Sequence, residues 1–238
     1  CALPILYVML GKSGEIAYRP GAVLASSDNL EIKVTGKQGH GRMPWQTIDP
    51  ITTSAQIVNG LQTIVSRKVD LTTSPAVVTI GTINGGTRAN IVPETVAMTG
   101  TIRTYDEAIR DQVHRDITTV AEKIAESAGA NAAVSISRGY DTTVNNEDLT
   151  GRMLPVLERA ADGRLRRSLP VGASEDFSVY ASEAPGLFVF LGITLDGQDP
   201  TKAAPNHSPN FFVDEAALVV GARTMASLAV NYLASPTK

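Results

Sequence analysis

The chain is poor in the residues from which most metal sites and all disulfides are built. Its 238 residues include one cysteine and three histidines, with no Cys-x-x-Cys or His-Glu-x-x-His spacing. The lone cysteine, Cys1, excludes an intrachain disulfide and leaves the compartment open, with the cytoplasm as the default expectation. A catalytic zinc needs about three protein ligands and one open position. We therefore expect no complete catalytic metal site from this chain alone.

The chain also lacks a large excess of charge of one sign and has few long apolar runs. The net charge is −3, and lysine and arginine form no stripe, which argues against a nucleic-acid partner. The apolar run Ala2–Leu10 is about half of the ~20 residues that a membrane span requires. It resembles the apolar core of a signal peptide but lacks a basic leader and a cleavage site of small residues. We predict a buried strand there and no membrane partner.

The segment 29–139 follows a β-α-β-β-α-β pattern. Leu30–Thr35 alternates apolar and polar residues, as a half-buried strand does, and Asp49-Pro50 supplies an N-cap and a first-turn proline for a helix. The rest of the pattern is a helix with Ile51, Ala55, Val58, Leu61 and Val65 at three- and four-residue steps, strands at Ala76–Ile83 and Thr95–Thr104, a helix with Ile109, Val113, Ile117, Val120 and Ile124 that stops at Gly129, and a strand at Val134–Ser137. This order predicts a ferredoxin-like domain.

The flanks, 1–28 and 140–238, predict an incomplete α/β domain. Leu187–Ile193 is continuously apolar, which is typical of a strand covered on both faces. Such a strand needs neighbouring strands in its sheet and helices on both faces. The flanks supply too few strands and helices to provide them. They supply a glycine-containing loop at Pro170–Phe177 with a short helix to about Ser182, and a final helix after Asp214 that carries Leu218, Ala222, Met225, Leu228 and Tyr232. We predict an α/β fold in which 29–139 is inserted into part of a larger domain.

Four short stretches carry a resemblance to a known family. They are Gly36-Lys-Gln-Gly-His40-Gly-Arg-Met-Pro44 with Asp49-Pro50, Gly85-Gly86 with Asn90-Ile-Val-Pro-Glu94, Gly100-Thr-Ile-Arg103-Thr, and Gly172-Ala-Ser-Glu-Asp-Phe177 with His207-Ser-Pro209. In order and spacing, over about residues 14–234, the chain resembles the C-terminal two-thirds of M20 metallopeptidases and amidohydrolases, in particular aminoacylase-like and hippurate-hydrolase-like members.

The resemblance implies a two-domain metal-dependent hydrolase. The α/β domain of such enzymes holds two ions, zinc or else manganese, cobalt or nickel, which activate a water for attack on the amide of an N-acyl amino acid or small peptide. A glutamate takes the proton of that water. The inserted ferredoxin-like domain acts as a lid and mediates homodimerisation, and it contributes a histidine that stabilises the oxyanion in the neighbouring subunit.

Carried over residue by residue, the resemblance makes His207 a metal ligand and His40 the catalytic lid histidine. It makes Asn90 and Arg103 substrate-binding residues, and a guanidinium suits a carboxylate because it donates two parallel hydrogen bonds. Plainer interpretations stay open. His40 fits a surface turn, Asn90 is a common turn residue, and Arg103 could pair with Asp106 or Glu94.

Other titratable residues receive no role. His114 lies next to Val113 on the second helix, and Glu175 and Asp176 could cap the short helix that follows them. Cys1 is conceivable as a substitute ligand, but nothing around it supports that.

The departures from the family pattern decide between hypotheses of function. The family's other ligands and its catalytic glutamate belong to an N-terminal half absent from these residues, and the expected Gly-x-His segment reads Leu6–Ser13 without histidine. We therefore expect an amidohydrolase fragment that binds no metal and is inactive alone. The alternatives are a non-catalytic dimerisation or small-ligand-binding protein, and a split enzyme completed by a second polypeptide.

Overall fold

A computed structural model describes residues 2–234 of the chain, with strands and helices in alternating groups. The strands in chain order are β1 (Leu3–Lys12), β2 (Ile16–Tyr18), β3 (Gly21–Leu24), β4 (Asp28–Thr35), β5 (Gly39–His40), β6 (Ala76–Gly85), β7 (Ile91–Val92), β8 (Thr95–Thr104), β9 (Asn131–Arg138), β10 (Thr143–Asn145), β11 (Leu165–Arg167) and β12 (Gly186–Thr194). The helices are α1 (Pro50–Arg67), α2 (Glu107–Ser127), α3 (Glu147–Ala160), α4 (Phe177–Glu183) and α5 (Glu215–Ala234).

The chain divides into two compact units. The inserted unit comprises residues 25–142 together with 172–174, and the flanking unit comprises residues up to 24, 143–171 and those from 175 onward. The inserted unit is thus a few residues wider at each end than the segment 29–139. Backbone hydrogen bonds explain the difference: Ser26 donates to Thr104, Gly139 donates to Ser27, and Ala25 donates to Ala173.

The inserted unit is a four-stranded antiparallel sheet with two helices, in the order β6-β8-β4-β9. Its elements follow the predicted order β4-α1-β6-β8-α2-β9, so the α/β class with an inserted ferredoxin-like unit is confirmed. Along β4 buried and exposed residues alternate, because successive strand side chains point to opposite faces. The core contains Leu30, Ile32 and Val34 of β4, and packs Ile57, Leu61 and Ile64 of α1 against Val113 and Ile117 of α2.

Helix α1 begins as its sequence predicts, but its core face differs from the predicted stripe. The carboxylate of Asp49 accepts hydrogen bonds from the backbone N–H groups of Ile51 and Thr52, at 2.8 and 3.4 Å. The residues that α1 buries are Pro50, Thr53, Ser54, Ile57, Leu61 and Ile64. Of the predicted stripe Leu61 is among them, Val58 and Val65 are partly buried and pack against the same core, and Ile51 stays 45% exposed. The predicted stripe therefore runs along the margin of the core face.

Helix α2 ends where predicted. Gly129 has a φ of 72°, a left-handed conformation that glycine adopts without strain. The Gly129 N–H donates to the carbonyl of Glu126, and the Ala130 N–H donates to that of Ala125. Among the predicted apolar positions Val113 and Ile117 are fully buried, and Ile109, Val120 and Ile124 pack at the margin of the core.

A buried ion pair lies at the start of β4. The side chains of Asp28 and Arg110 are both fully buried, with Arg110 Nε 2.9 Å and Nη2 2.5 Å from the two carboxylate oxygens of Asp28. Arg110 Nη1 also contacts Asp141 and Glu107, and His114 Nε2 lies 2.7 Å from Asp28 Oδ2. Burial alone would raise the pKa of Asp28, but hydrogen bonds and charge from Arg110 and His114 outweigh it and lower that pKa.

The flanking unit centres on β12, in a sheet of order β1-β12-β2-β11. Every residue of β12 is buried, as its continuous apolar run predicts. Strand β1 pairs with β12 in parallel, which confirms the strand predicted near Ala2–Leu10. The buried Asn145 ties β10 to β12: its amide donates to the carbonyl of Phe188 at 2.8 Å, and its oxygen accepts from the Phe188 N–H at 2.6 Å.

Several elements of the flanking unit have no counterpart in the sequence prediction. Helix α3 buries Leu149, Met153, Val156, Leu157 and Ala160 although Pro155 interrupts its periodicity, and β2, β3, β10 and β11 are three or four residues long. Helix α5 is long and apolar enough, by length and composition only, to cross a membrane. Core helices pass the same test, and Ala217, Val220 and Leu228 of α5 belong to the core of this unit.

Candidate functional site

His40 lies on an exposed loop that glycines hold in close packing. The β5–β7 ladder pairs His40 with Ile91, and the Gly41 N–H donates to the carbonyl of Asn90 at 2.9 Å. A Cβ at position 41 would lie 3.2 Å from that carbonyl oxygen, so a larger residue would push the two segments apart. The structure thus brings together His40 and Asn90, which are far apart in sequence.

The imidazole of His40 is oriented by its own loop. The Arg42 N–H donates to His40 Nδ1 at 3.2 Å, so Nδ1 acts as the acceptor. In the neutral ring the proton then belongs to Nε2, which becomes a hydrogen-bond donor. A donor on an exposed loop can meet negative charge that develops on a carbonyl oxygen. Trp45, the only tryptophan of the chain, is 76% exposed on the same loop.

Arg103 lies near the end of β8 and meets the 172–174 segment of the same unit. Its Nη1 donates to Ser174 Oγ at 3.0 Å and lies 3.5 Å from the carbonyl oxygen of Ser26. The pairing with Asp106 or Glu94 that the sequence left open does not form. Within the described residues no carboxylate pairs with the Arg103 guanidinium, so its charge is available to an anionic ligand.

Ser174 is the residue that sequence reasoning missed in this part of the site. It belongs to the stretch Gly172–Phe177, which was noted as a motif but given no substrate-binding role. The signal lay in the motif itself, since a loop of small residues can approach another strand closely.

His207 lies in the flanking unit, on the loop between β12 and α5. It is exposed and has a φ of 71°, in the left-handed region where histidine is uncommon. Its neighbour Asn206 fixes the loop to β1, donating through Nδ2 to the carbonyl of Val8 at 3.2 Å. The side chain of His207 is therefore presented from an anchored loop.

A metal ion would need more ligands than the described residues bring together. In residues 2–234 no group of three or more histidine, cysteine, aspartate or glutamate side chains is placed to hold an ion. The sequence also contains a His-x-Asp spacing at His114–Asp116, but Asp116 pairs with Lys68 and His114 with Asp28. Cys1 lies outside the described residues. The residues present do not fit the complete dinuclear site that the resemblance implies.

Glu175 and Asp176 do not cap α4 through their side chains. Asp176 is the N-cap residue of α4 without a side-chain hydrogen bond to the helix, and it is the carbonyl of Glu175 that accepts from Ser178. Burial, and then the neighbouring Asp176 charge, raise the pKa of Glu175.

Comparison with protein families finds a match in the inserted unit. A family model of the M20 group, described as a peptidase dimerisation domain, matches residues 25–129. This range includes His40, Asn90 and Arg103, together with α1, β6 and all of α2.

Comparison with individual proteins extends the match to most of the chain. Thermostable carboxypeptidase 1 of Saccharolobus solfataricus is 38% identical over 221 residues, which cover 92% of this chain and 55% of the relative. IAA-amino acid hydrolase ILR1-like 2 of Arabidopsis thaliana is 36% identical and covers 92% of this chain and 50% of its own. The chain thus spans about half the length of the curated relatives it matches, a smaller share than the two-thirds expected.

A solved structure shares the fold. The Bacillus subtilis YXEP protein, described as a dinuclear metal binding peptidase from the M20 family, aligns with 99% of this chain and 58% of its own, with a TM-score of 0.76 and 29% identity.

Proposed function

Because this chain belongs to the M20 family of peptidases and amidohydrolases, we propose that it forms the substrate-binding and dimerising part of a metal-dependent amidohydrolase. Its substrates would be N-acyl amino acids or small peptides, whose amide bond is cleaved. The observation that carries the proposal is Arg103, a guanidinium without a carboxylate partner in the described residues, held by Ser174. A similar carboxypeptidase and a similar amino acid hydrolase agree with an amide substrate that carries a carboxylate.

The two units would divide the work. We propose that the inserted unit is the lid and dimerisation domain and that the flanking unit is part of the α/β catalytic domain. Arg103 would bind the substrate carboxylate through two parallel charge-assisted hydrogen bonds. Asn90 would donate to the scissile carbonyl, and His40 Nε2 would donate to the same oxygen as it becomes negative.

The metal site would be completed by residues outside this sequence. His207 is the one ligand that the resemblance assigns to this chain. The chain covers 55% of the similar carboxypeptidase, and the remaining ligands and the catalytic glutamate would lie in the share that it does not cover. Nothing in residues 2–234 replaces them.

A chimera tests this proposal. The N-terminal share of the S. solfataricus carboxypeptidase that this chain does not match would be joined ahead of it. Release of amino acid from N-acyl amino acids and dipeptides would be followed with zinc or manganese. We expect hydrolysis, lost in His207→Ala. For Arg103→Ala we expect kcat/KM to fall about 10- to 100-fold, mainly through KM, since a hydrogen bond to a charged group contributes about 1.5–3 kcal/mol.

The matched control is Arg138→Ala, since Arg138 is half exposed and pairs with Glu107 and Asp111. It should leave kcat/KM unchanged. Binding of N-acetyl amino acids to the 238-residue chain, measured by calorimetry with and without Arg103→Ala, does not depend on the chimera folding. A folded chimera without hydrolysis, together with equal ligand affinity of the wild type and Arg103→Ala, would overturn the proposal.

A second candidate function is a non-catalytic dimeric or small-ligand-binding protein. The observation that favours it is the complete inserted unit beside a single assigned ligand, His207, with no ligand group among residues 2–234. It predicts a stable dimer whose melting temperature does not respond to EDTA, and ligand binding without turnover in the chimera. Dissociation of the dimer by EDTA would speak against it.

A further inference from the structure

Trp45 lies almost entirely outside the core of the inserted unit. It is 76% exposed, and among the large apolar side chains of the described residues only Leu169 and Leu233 are more exposed. A covered tryptophan buries about 150–250 Å², so an uncovered one leaves a large hydrophobic gain unrealised. By presenting its only tryptophan in this way, the chain offers a surface suited to a ligand with an apolar face.

The loop that carries Trp45 is closed at its base. Lys37 and Ile48 exchange two backbone hydrogen bonds, of 2.8 and 3.1 Å, as an antiparallel bridge. Beyond this bridge the two arms of the loop are in close contact, because a Cβ on Gly39 would lie 2.5 Å from Thr47 Cγ2. The shape of the segment 38–47 is therefore set by its own contacts.

Backbone turns connect Trp45 to His40 within this loop. The Met43 N–H donates to the carbonyl of His40 at 2.8 Å, and the Gln46 N–H donates to that of Met43 at 3.0 Å. Trp45 itself belongs to a short 3₁₀ helix, Pro44–Gln46. Turns of this kind rise about 2 Å per residue, so the Cα atoms of His40 and Trp45 are about 10 Å apart. The imidazole and the indole are thus held at a defined separation that a small molecule can span.

The charge of this loop indicates what kind of molecule would cover the indole. The loop contains Lys37 and Arg42, both exposed, and no acidic residue between Gly36 and Ile48. A second copy of the loop, packed on the first about a two-fold axis, would bring these like charges together at a cost in binding free energy. An anion that carries an aromatic group would instead meet positive charge and an apolar surface on one loop. The N-acyl amino acids of the proposed function are anions.

The position of the carbonyl decides which part of such a substrate could reach Trp45. In the proposed function His40 donates to the carbonyl oxygen of the amide, and Arg103 binds the carboxylate of the amino acid. The acyl group extends from the other side of the carbonyl carbon. An acetyl group ends one C–C bond, about 1.5 Å, from this carbon and is too short for a side chain about 10 Å along the loop. An acyl group that ends in a ring extends several bonds further and can stack on the indole.

We propose that Trp45 is the acyl-binding residue of the amide-cleaving site and that it favours substrates whose acyl group carries an aromatic ring. The indole would stack on that ring, offset or edge to face, while His40 Nε2 donates to the carbonyl oxygen. Trp45 would bind substrate without taking part in bond cleavage. This inference rests on the proposed function and adds the acyl preference to it.

Two substrates that differ only by a phenyl ring test the preference. N-phenylacetylglycine is N-acetylglycine with a phenyl ring on its acyl group, so the amide and the carboxylate are the same. In the chimera we expect Trp45→Ala to lower kcat/KM for the phenylacetyl substrate about 10-fold and to leave that for the acetyl substrate within about 2-fold. Trp45→Phe, which keeps a ring, should retain most of the preference. Gln46→Ala is the matched control, because Gln46 is exposed in the same turn, and it should change neither value.

The single tryptophan supplies a second measurement, on the 238-residue chain itself. Its fluorescence reports on Trp45 alone. N-phenylacetylglycine should change the emission saturably, and N-acetylglycine should not. The emission of free N-acetyltryptophanamide corrects for light absorbed by the ligand, and circular dichroism checks that each variant is folded.

The outcomes separate the acyl preference from the proposed hydrolysis. A preference for the phenylacetyl substrate that survives Trp45→Ala would overturn the role of Trp45 and leave the hydrolysis intact. A chimera that hydrolyses neither substrate would overturn the hydrolysis, and the fluorescence titration would then decide the role of Trp45. An emission that does not respond to N-phenylacetylglycine, or that responds only to dilution of the protein as a contact between copies would, overturns the proposal.

Discussion

The two units bury their sheets to different extents. In the inserted unit β4 is buried on one face and exposed on the other. Helices α1 and α2 pack on the buried face and cover the core of this unit. In the flanking unit β12 is buried on both faces, yet its neighbour β1 is only partly buried along most of its length. Helix α5 leaves Val219, Val230 and Leu233 between 65% and 82% exposed. The flanking unit thus presents apolar surface that its own described residues do not cover.

The difference has an energetic meaning. Apolar area removed from water contributes about 25 cal/mol per Å², and the flanking unit leaves part of that contribution unrealised. In the inserted unit α1 and α2 cover the core, so more of that contribution is realised. We therefore expect the inserted unit to unfold at a higher denaturant concentration than the flanking unit. The following changes test this order of stability.

Removal of Arg110 should have the largest effect. Arg110→Ala leaves Asp28 as a buried charge without its main partner, and breaking a buried pair in this way costs about 3–5 kcal/mol. Urea unfolding followed by circular dichroism should show the inserted unit becoming the less stable one. Arg138→Ala, in an exposed ion pair, should change the free energy of unfolding by at most about 1 kcal/mol. Equal effects of the two substitutions would contradict this account of the ion pair.

Shortening a buried side chain of β12 should have the second-largest effect, and this effect should fall on the flanking unit. Leu191→Ala removes a buried side chain beside Gly221 of α5 and should lower the free energy of unfolding of the flanking unit by about 2–5 kcal/mol. The measurement is the difference in denaturant midpoint between unfolding of the flanking unit and unfolding of the inserted unit, which should widen. Val219→Ala, at a 70% exposed position, should shift neither step by more than about 0.5 kcal/mol.

Acid should narrow the difference in free energy of unfolding between the two units. The pKa of Asp28 is lowered below its ordinary value of 3.8 by Arg110 and His114, against the effect of burial. The stability from its ionised form is fully present above that ordinary value and is lost as pH falls through the lowered pKa. Unfolding measured from pH 6 downward should show this loss in the inserted unit. Asp70 adds to it, because hydrogen bonds from Thr72 and Thr73 lower its pKa to about 2. Asp28→Asn should make the free energy of unfolding of the inserted unit depend less on pH.

Loss of the α1 cap should have the smallest effect. Asp49→Ala removes the carboxylate that accepts from Ile51 and Thr52 and should cost about 1 kcal/mol. Thermal unfolding of the inserted unit measures it. Asp106→Ala removes the matching cap of α2, where the carboxylate accepts from the Ile109 N–H at 2.9 Å. A cost above that of Arg110→Ala would show that the order of these effects is wrong.

The sequence predicted the elements of the inserted unit because each carries a local signal. Alternation marks β4, Asp49-Pro50 marks the start of α1, and Gly129 marks the end of α2. The orientation of α1 was not predictable from periodicity alone. Two apolar stripes run along that helix, and only contacts made after folding decide that Ile57 and Ile64 face the core while Ile51 does not.

The flanking unit and the candidate site were harder to predict for physical reasons. Strands such as β2 and β11 have three residues and gain their stability from neighbours, which a local pattern does not show. The roles of His40, Asn90, Arg103 and His207 remain predictions. The structure adds that the short β5–β7 ladder places His40 opposite Ile91, the residue after Asn90, and that Ser174 holds Arg103, which are long-range contacts.

The pairing of β3 with β10 has a consequence for the modularity of the chain. Leu24, where the chain leaves the flanking unit, is a ladder partner of Thr143, where it returns. Paired strands lie about 5 Å apart, a gap that a two-residue turn can close. Residues 25–142 could therefore be excised and replaced by a tight hairpin, or exchanged for another domain with adjacent ends, with little added loop-closure entropy. Circular dichroism of the shortened chain would then show whether the flanking unit folds without residues 25–142.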